Sequence, residues 1–202
     1  MGRLHLLTAT VALCAISVVC VGASQPTAAR GPAVTITGIT PAQATLVEWA
    51  MALFATAELR LPDLGIVGHD STDACMGRNG MHVVDDGRST IHICTRDAGR
   101  IQEFLFLHEL AHAWDRANLS AERRLAFLEQ RGLAEWNNLD TDQWHDRGGE
   151  HAAEIIAWGL IDRPVGIVRI SGTSCVELLA GYVTLVGGPP LHGYTDRCRQ
   201  AA

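Results

Sequence analysis

The 202-residue sequence contains no block of basic residues, and its formal net charge is -6. A protein that binds nucleic acid needs clustered Lys or Arg side chains to neutralise phosphates, so nucleic acid is not expected as a partner. Internal repeats and long low-complexity tracts are also absent, which excludes a repeat architecture and a largely disordered chain. No CxxC pair occurs, so a zinc site built from cysteines is not expected either.

The N-terminus has the pattern of a secretory signal peptide. Arg3 precedes an apolar stretch over residues 6–21, and the small residues Gly22 and Ala23 follow. We therefore expect export, with no stable membrane association once the signal is cleaved; cleavage after Ala29 and retention as an anchor are the alternatives. The expected organisation is a signal peptide, a flexible leader and one folded domain, over residues 1–23, 24–38 and 39–202.

Cysteine usage agrees with export. The six cysteines fall to four when Cys14 and Cys20 leave with the signal peptide. An even number of cysteines in an exported protein indicates disulfides, and four cysteines allow three pairings, between which the sequence does not decide. Each bridge is expected to stabilise the fold by about 3 kcal/mol. The favoured pairings, which each close a short loop, are Cys75–Cys94 and Cys175–Cys198.

The most informative motif is HExxH, which reads His108-Glu109-Leu110-Ala111-His112 inside an apolar segment. On an α-helix, His108 and His112 project from one face a single turn apart, so both imidazoles can bind one metal ion. Glu109 lies beside them, where a carboxylate can take a proton from metal-bound water, whose pKa zinc lowers toward about 7. A buried helix has little use for these polar residues unless they have partners. The motif therefore predicts a catalytic zinc site in which Glu109 is the general base and acid.

A catalytic zinc normally has three protein ligands, so a third is needed. The elongated metzincin motif does not supply it, because the positions three and six residues after His112 hold Asp115 and Asn118 in place of Gly and His. We expect Glu150 to be the ligand, in the first turn of a helix that begins at a glycine pair. Glu154 lies one turn further on the same face and is expected to hydrogen-bond a ligand histidine. The alternative third ligands are His145, His151, Glu135 and Asp146.

The two motifs together resemble those of the gluzincin metallopeptidases, in particular compact forms such as the minigluzincins. In that family HExxH is followed on a later helix by a ligand glutamate in an ExxxD or ExxA setting, and this chain reads Glu150-His151-Ala152-Ala153-Glu154. The resemblance covers the two active-site helices and departs from the pattern at Glu154, where the family more often has Asp. It implies an α+β, zincin-like fold, in which a small antiparallel sheet or hairpin packs on the HExxH helix and on a second ligand helix.

Local patterns place these motifs among other elements. Thr40 and Pro41 are typical of a helix start, and residues 85–88 form a turn signal that predicts a hairpin. An extended peptide can pair with the free edge of such a hairpin. His82 and His92 lie on its strands, where lone histidines are usually surface or satisfied residues. Helices are expected over residues 41–59, 120–132 and 175–186, and strands over residues 64–67, 81–84 and 90–94.

The loop over residues 135–149 is expected to border the cleft. Its Trp136 and Trp144 either line a substrate pocket or anchor the loop to the body of the protein. Asp115, seven residues after His108, lies on the metal face of its helix, where it either orients a ligand or an arginine or faces solvent. The candidate donors to a developing oxyanion are Tyr182, His192, Tyr194 and His145. His192 and Tyr194 are favoured, because their loop can close over the cleft.

These residues predict a secreted, monomeric zinc metallopeptidase that acts on a peptide or protein substrate. One alternative is a secreted binding module with a structural zinc site. Glu109 counts against it, because a structural zinc has no need of that carboxylate and usually has four protein ligands. The second alternative is a zinc amidase that acts on cell-wall crosslinks, for which the same residues would serve. Activity on cell-wall fragments and on unfolded protein distinguishes these possibilities.

Overall fold

The computed structural model describes residues 31–95, 99–137, 143–162 and 169–192. The predicted signal peptide lies outside these residues, as do Tyr194 and Cys198. The described part of the chain has the predicted α+β class, with five helices and a four-stranded sheet. The elements are β1 (Val34–Thr37), α1 (Pro41–Thr56), β2 (Leu64–Gly68), β3 (Gly80–Asp85), β4 (Arg88–Ile93), α2 (Arg100–Asn118), α3 (Ala121–Arg131), α4 (Gly148–Leu160) and α5 (Cys175–Val186).

The sheet is mixed, whereas a small antiparallel sheet or hairpin was predicted, so the antiparallel prediction holds for the hairpin alone. The strand order is β1-β2-β4-β3, and only the β3–β4 pair is antiparallel. β1 and β2 run parallel because α1 carries the chain back between them, as a crossover between parallel strands requires. β1 was not predicted, since it falls within the expected leader over residues 24–38. Ordered structure therefore begins before residue 39, where Val34 and Ile36 alternate with threonines and pair with β2.

The predicted hairpin is confirmed and leaves β3 at the edge of the sheet. Its two-residue turn, Asp86 and Gly87, has both residues at positive φ, the backbone that a tight hairpin turn demands. β4 pairs on both sides, with β2 and with β3, whereas β3 has one strand neighbour. The free side of β3 is therefore an edge of the sheet, and β3 also packs against α2.

The helix ends follow capping chemistry that the sequence displays. The Thr40 side chain accepts a hydrogen bond from the Gln43 main-chain N–H, and the Gln43 side chain accepts one from the Thr40 main-chain N–H. Ser174 forms the same reciprocal arrangement with Glu177 at the start of α5. Ser120 caps α3, which ends at Gly132 in the left-handed conformation. The predicted starts of these three helices are confirmed.

The core lies between one face of the sheet and the helices. Leu64, Ile66, Ile91 and Ile93 are buried on that face, and the apolar side of α1 covers them together with α2. α4 is buried on all sides apart from Glu150, as is typical of a helix at the centre of a core. It packs mainly against α2 and α5. Glu150, the partly exposed residue in its first turn, is therefore held next to the HExxH helix.

One predicted disulfide, Cys75–Cys94, is confirmed. It joins the segment before β3 to the end of β4, and both cysteines are buried. Cys175 is disulfide-bonded as well, but Cys198 lies outside the described residues, so the second pairing stays a prediction.

In the described part of the chain, no helix combines the length and the apolar character that crossing a membrane requires.

The contact between α4 and α5 depends on Gly159. A Cβ atom added there would lie 2.1 Å from Cε2 of Tyr182, a ring that is 1% exposed and enclosed by the core. We expect Gly159→Ala to lower the free energy of unfolding by about 1–3 kcal/mol, because overpacking outweighs the better helix propensity of alanine. Urea unfolding of both proteins measures this difference. Gly188→Ala is the control, since an added Cβ at Gly188 meets nothing within 4 Å; equal losses in the two variants would contradict the prediction.

Candidate metal centre

Three side chains from two helices converge on one point. His108 Nε2 lies 3.0 Å from His112 Nε2 and 3.0 Å from Glu150 Oε2, and His112 Nε2 lies 3.2 Å from the same oxygen. In a tetrahedral site with bonds of about 2.0–2.1 Å, ligand atoms are about 3.3 Å apart, so this nearly equilateral triangle fits a single ion. Within the described ranges, it is the one group of three or more His, Cys, Asp or Glu side chains close enough to hold a metal ion.

Local sequence explains how the triangle forms. His108 and His112 are one turn apart on α2, so their rings leave the helix on one face. Glu150 reaches them because Gly148 lets the start of α4 approach its neighbours closely. A Cβ atom at Gly148 would lie 2.5 Å from Leu128 Cδ2 and 3.2 Å from the main-chain oxygen of Glu135. The glycine pair that marked the helix start therefore also permits the position of the carboxylate.

The group has the electrostatics of a cation site. Burial raises the pKa of Glu150, but hydrogen bonds and charge from His108 and His112 outweigh burial and hold that pKa well below its usual value. Burial lowers the pKa of His112, but the Glu150 carboxylate, with help from Glu109 and Asp115, outweighs it and raises the pKa to about 8. The Glu150 carboxylate thus attracts a positive charge, which a metal ion can supply in place of a proton on His112.

Glu154 lies behind His108, on the side away from the triangle. Its Oε1 is 3.6 Å from His108 Nδ1, which is too long for a hydrogen bond. Among the described residues, no other group forms a hydrogen bond with that nitrogen. Glu154 is 0% exposed and is bonded by Arg169, through the main-chain N–H at 3.2 Å and through Nη2 at 3.4 Å. The carboxylate therefore lies beside His108, but the hydrogen bond predicted between them is not formed at this distance.

The triangle forms one wall of a cleft of about 580 Å³. Glu109 also lines this cleft and lies against β3, since a Cβ atom at Gly80 would be 3.4 Å from Glu109 Cγ. The cleft thus contains both the predicted ligands and the predicted general base. Its lining residues are Gly77, Arg78, Asn79, Gly80, Met81, His82, Leu105, His108, Glu109, His112, Trp144, Glu150 and Arg169.

The two loop tryptophans have different positions. Trp144 lines the cleft and stacks on His108, with ring centroids 5.8 Å apart. Trp136 instead anchors its loop: its Nε1 donates to Asp115 Oδ2 at 3.2 Å, and its ring packs on Phe127. Asp115 is buried and pairs with Arg124 at 3.0 Å, so it orients an arginine, as one of the two interpretations expected, and does not face solvent.

The alternative third ligands lie away from the triangle. His151 Nε2 is 2.6 Å from the main-chain oxygen of His145, and its Nδ1 faces the Arg131 guanidinium. His145 is exposed and lies beside Asp146. The main-chain oxygen of Glu135 accepts a hydrogen bond from the Gly148 N–H. None of these side chains belongs to the metal-holding group of the described residues.

Two candidate oxyanion donors are also remote from the cleft. Tyr182 is buried in the core, where burial raises the pKa of its phenol to about 12. The main chain of His192 donates to the Gly159 oxygen, near the end of α4 opposite to Glu150. Tyr194 lies outside the described residues.

Sequence reasoning missed several residues of the cleft, among them Arg78, His82 and Arg169. His82 pairs with Ile91 across the hairpin and so lies on the face that meets α2, where its ring stacks on His112 at 6.0 Å. Burial and the nearby charges of His112 and Arg116 lower the pKa of His82 to about 4. The alternation of apolar and polar residues along β4 could have indicated this, because it places Ile91, the partner of His82, on the buried face. Arg169 follows α4 in a segment without a motif, so no signal in the sequence selected it.

No protein-family model, no curated protein and no solved structure matches this chain. The chemistry of the cleft is therefore inferred from its own residues. The cleft contains two imidazoles and a carboxylate that converge, with Glu109 as a second carboxylate beside them. The gluzincin resemblance stays a prediction that rests on the two motifs.

We expect Glu150→Ala to abolish stoichiometric metal binding, because two histidines alone leave the ion with too few protein ligands. Metal content of the purified mature protein, measured by mass spectrometry, is the readout. Glu135→Ala is the matched control, since it removes a carboxylate from an alternative ligand that lies outside the triangle. Full metal content in Glu150→Ala together with loss in Glu135→Ala would show that the third ligand is wrong.

Glu154→Gln is expected to weaken metal binding about 10–100-fold without abolishing it, because the amide holds the His108 ring less well than the carboxylate. Competition with a chelating dye measures the dissociation constant. Glu177→Gln provides a control on a carboxylate that caps a remote helix. An unchanged dissociation constant in Glu154→Gln would mean that the carboxylate only pairs with Arg169.

Proposed function

We propose that this protein is a secreted zinc metallopeptidase that hydrolyses peptide bonds in a peptide or protein substrate. One observation carries the proposal: His108, His112 and Glu150 converge on one point in the wall of a cleft, and Glu109 lines the same cleft without joining the triangle. A site that only held the fold together would have no reason to place a further carboxylate there.

The donor set favours a catalytic zinc over a structural one. Two histidines and one glutamate are a known ligand set of catalytic zinc, whereas structural sites usually have four protein ligands. No fourth side chain joins the group within the described residues. When bound by such a set, zinc supplies Lewis acidity, which lowers the pKa of water toward about 7 and polarises a carbonyl oxygen.

Glu109 is the residue to which we assign proton transfer. It follows His108 directly, so the helix fixes its carboxylate beside the ligands, and it is partly exposed to the cleft. From there it accepts a proton from the attacking water and delivers it to the leaving amine. His82, whose lowered pKa keeps the ring neutral, offers a donor or acceptor on the β3 side of the same cleft.

The edge strand supports a peptide as the substrate. β3 has one strand neighbour, and its residues Gly80, Met81 and His82 line the cleft. An extended peptide can add to such an edge through main-chain hydrogen bonds, which recognise the backbone and not a particular side chain. Secretion is supported by the signal-peptide pattern and by the Cys75–Cys94 bridge, since disulfides persist in oxidising compartments.

We expect Glu109→Gln to keep one zinc per chain and to lose hydrolysis of an unfolded protein by about 10²–10⁴-fold, because the amide cannot accept the proton. Zinc content and cleavage of reduced, alkylated albumin measure the two effects. Glu129→Gln on α3, an exposed residue, is the control and should match the wild type.

The other possible functions give different results in that experiment. A wild-type protein that holds zinc but cleaves neither unfolded protein nor cell-wall fragments would be a binding module with a structural zinc. Cleavage of cell-wall fragments alone, lost in Glu109→Gln, would identify an amidase.

A further inference from the structure

Among the charged side chains that line the cleft, the basic ones are free to contact a substrate, whereas the acidic ones have other roles in the proposed reaction. Apart from histidines, the described lining contains two acidic residues, Glu109 and Glu150, and two basic ones, Arg78 and Arg169. Under the proposed function, Glu150 binds the metal and Glu109 transfers a proton, so both carboxylates are occupied by the reaction. The two arginines are left facing the substrate, and a divalent ion adds to their positive charge.

This positive lining runs against the charge of the whole chain, which is -6. A protein with that net charge repels acidic polypeptides on average, so an acidic substrate needs local cations to bind. A neutral or basic substrate needs none, and two arginines at the cleft would oppose a basic one. Two arginines in the lining of the same cleft as the triangle therefore suit a substrate that carries carboxylates.

Arg169 is held in place next to the metal-binding group. Its guanidinium lies 4.8 Å from the centroid of the Trp144 ring, and that ring stacks on His108. One edge of the guanidinium donates to the buried Glu154, as described above. The side chain is nevertheless 48% exposed, so further N–H donors of its planar fork face the cleft. A guanidinium fixed in this way can bind a carboxylate with little loss of side-chain entropy.

Arg78 is presented by a segment with a fixed main chain. The disulfide holds Cys75, the Arg78 N–H donates to the Cys75 oxygen at 3.0 Å, and the Asn79 oxygen accepts from the Cys94 N–H at 2.9 Å. The side chain of Arg78 is exposed and has no ion-pair partner in the part of the chain that the structure describes. The segment before β3 therefore adds a second cation to the cleft, from a different element than Arg169.

We propose that Arg78 and Arg169 are specificity-determining residues that bind carboxylates, and that the substrate is an acidic polypeptide with Asp or Glu close to the cleaved bond. The inference rests on the proposed function for the cleavage step, but the binding preference is independent of turnover. Neither arginine belongs to the metal-holding group. Arg169 pairs with Glu154 behind His108, whereas Arg78 lies on a different segment, so substrate preference can be changed separately from metal binding at Arg78.

The test uses the zinc-loaded mature chain carrying Glu109→Gln, so that peptides bind without being cleaved. Two end-blocked fluorescent peptide pools are compared by anisotropy; they are identical except that Asp and Glu in one are Asn and Gln in the other. We expect the acidic pool to bind about tenfold more tightly, since each charge-assisted contact contributes severalfold to tenfold. The difference should shrink at high salt, because these cations are partly exposed.

Substitutions then identify the residues responsible. Arg78→Glu should remove most of the preference for the acidic pool while leaving zinc content and the affinity for the amide pool unchanged. Arg169→Gln should lower the preference in the same way, and its zinc content is measured because Arg169 also pairs with Glu154. Arg88→Glu is the control: it makes the same charge change as Arg78→Glu at the far end of the hairpin, where Arg88 bonds Thr35.

The outcomes separate this inference from the proposed function. Three results would overturn the carboxylate site: equal affinity for the two pools, a preference that persists in Arg78→Glu, or a preference that falls equally in Arg78→Glu and Arg88→Glu. Wild-type protein that prefers the acidic pool but cleaves neither pool would support the carboxylate site and refute the peptidase. Faster cleavage of the acidic pool by wild type, with the excess lost in Arg78→Glu, would support both.

Discussion

The packing of α4 against α2 is the constraint on which the rest of the structure depends. Each helix alone presents an incomplete site: α2 carries two imidazoles and α4 one carboxylate. Only when the buried faces of both helices are in contact do the three atoms come within 3.2 Å of one another. The apolar residues around the motif therefore do more than form a core, because they fix the relative position of two elements to the accuracy that ion coordination requires.

That packing creates an electrostatic difficulty, which a chain of polar contacts resolves. Glu154 lies on a helix that is buried on nearly every side, where an unpaired carboxylate would be costly. The His108 ring lies on one side of it and the Arg169 guanidinium on the other. The same carboxylate thus faces a ring of the metal-binding group and orients a cation of the cleft. A substitution of Glu154 is therefore expected to affect both the His108 ring and the Arg169 guanidinium, which links the triangle to the segment that follows α4.

Local signals in the sequence were sufficient for most elements and for the triangle. Thr40 and Ser120 indicated helix starts through capping chemistry, which depends only on neighbouring residues in the sequence. The glycine pair before Glu150 indicated a helix start, and periodicity placed the carboxylate in its first turn. β1 and the parallel pairings were not accessible in this way, because a four-residue strand is specified by the partner it meets and not by its own composition. For the same reason Arg169 carried no signal: its role arises from Glu154 and Trp144, which only the fold brings beside it.

The residues that could hold a metal ion and the arginines proposed to bind the substrate belong to different kinds of structure. His108, His112 and Glu150 lie on helices in the interior, where a shift of one side chain disturbs many contacts. Arg78 and Arg169 lie in connecting segments, one fastened by a disulfide and the other by a buried carboxylate. Connecting segments tolerate substitution better than packed helices do. Both arginines nevertheless line the cleft of an acidic protein, on segments with a fixed main chain or a buried partner, and the proposed preference for an acidic substrate accounts for both.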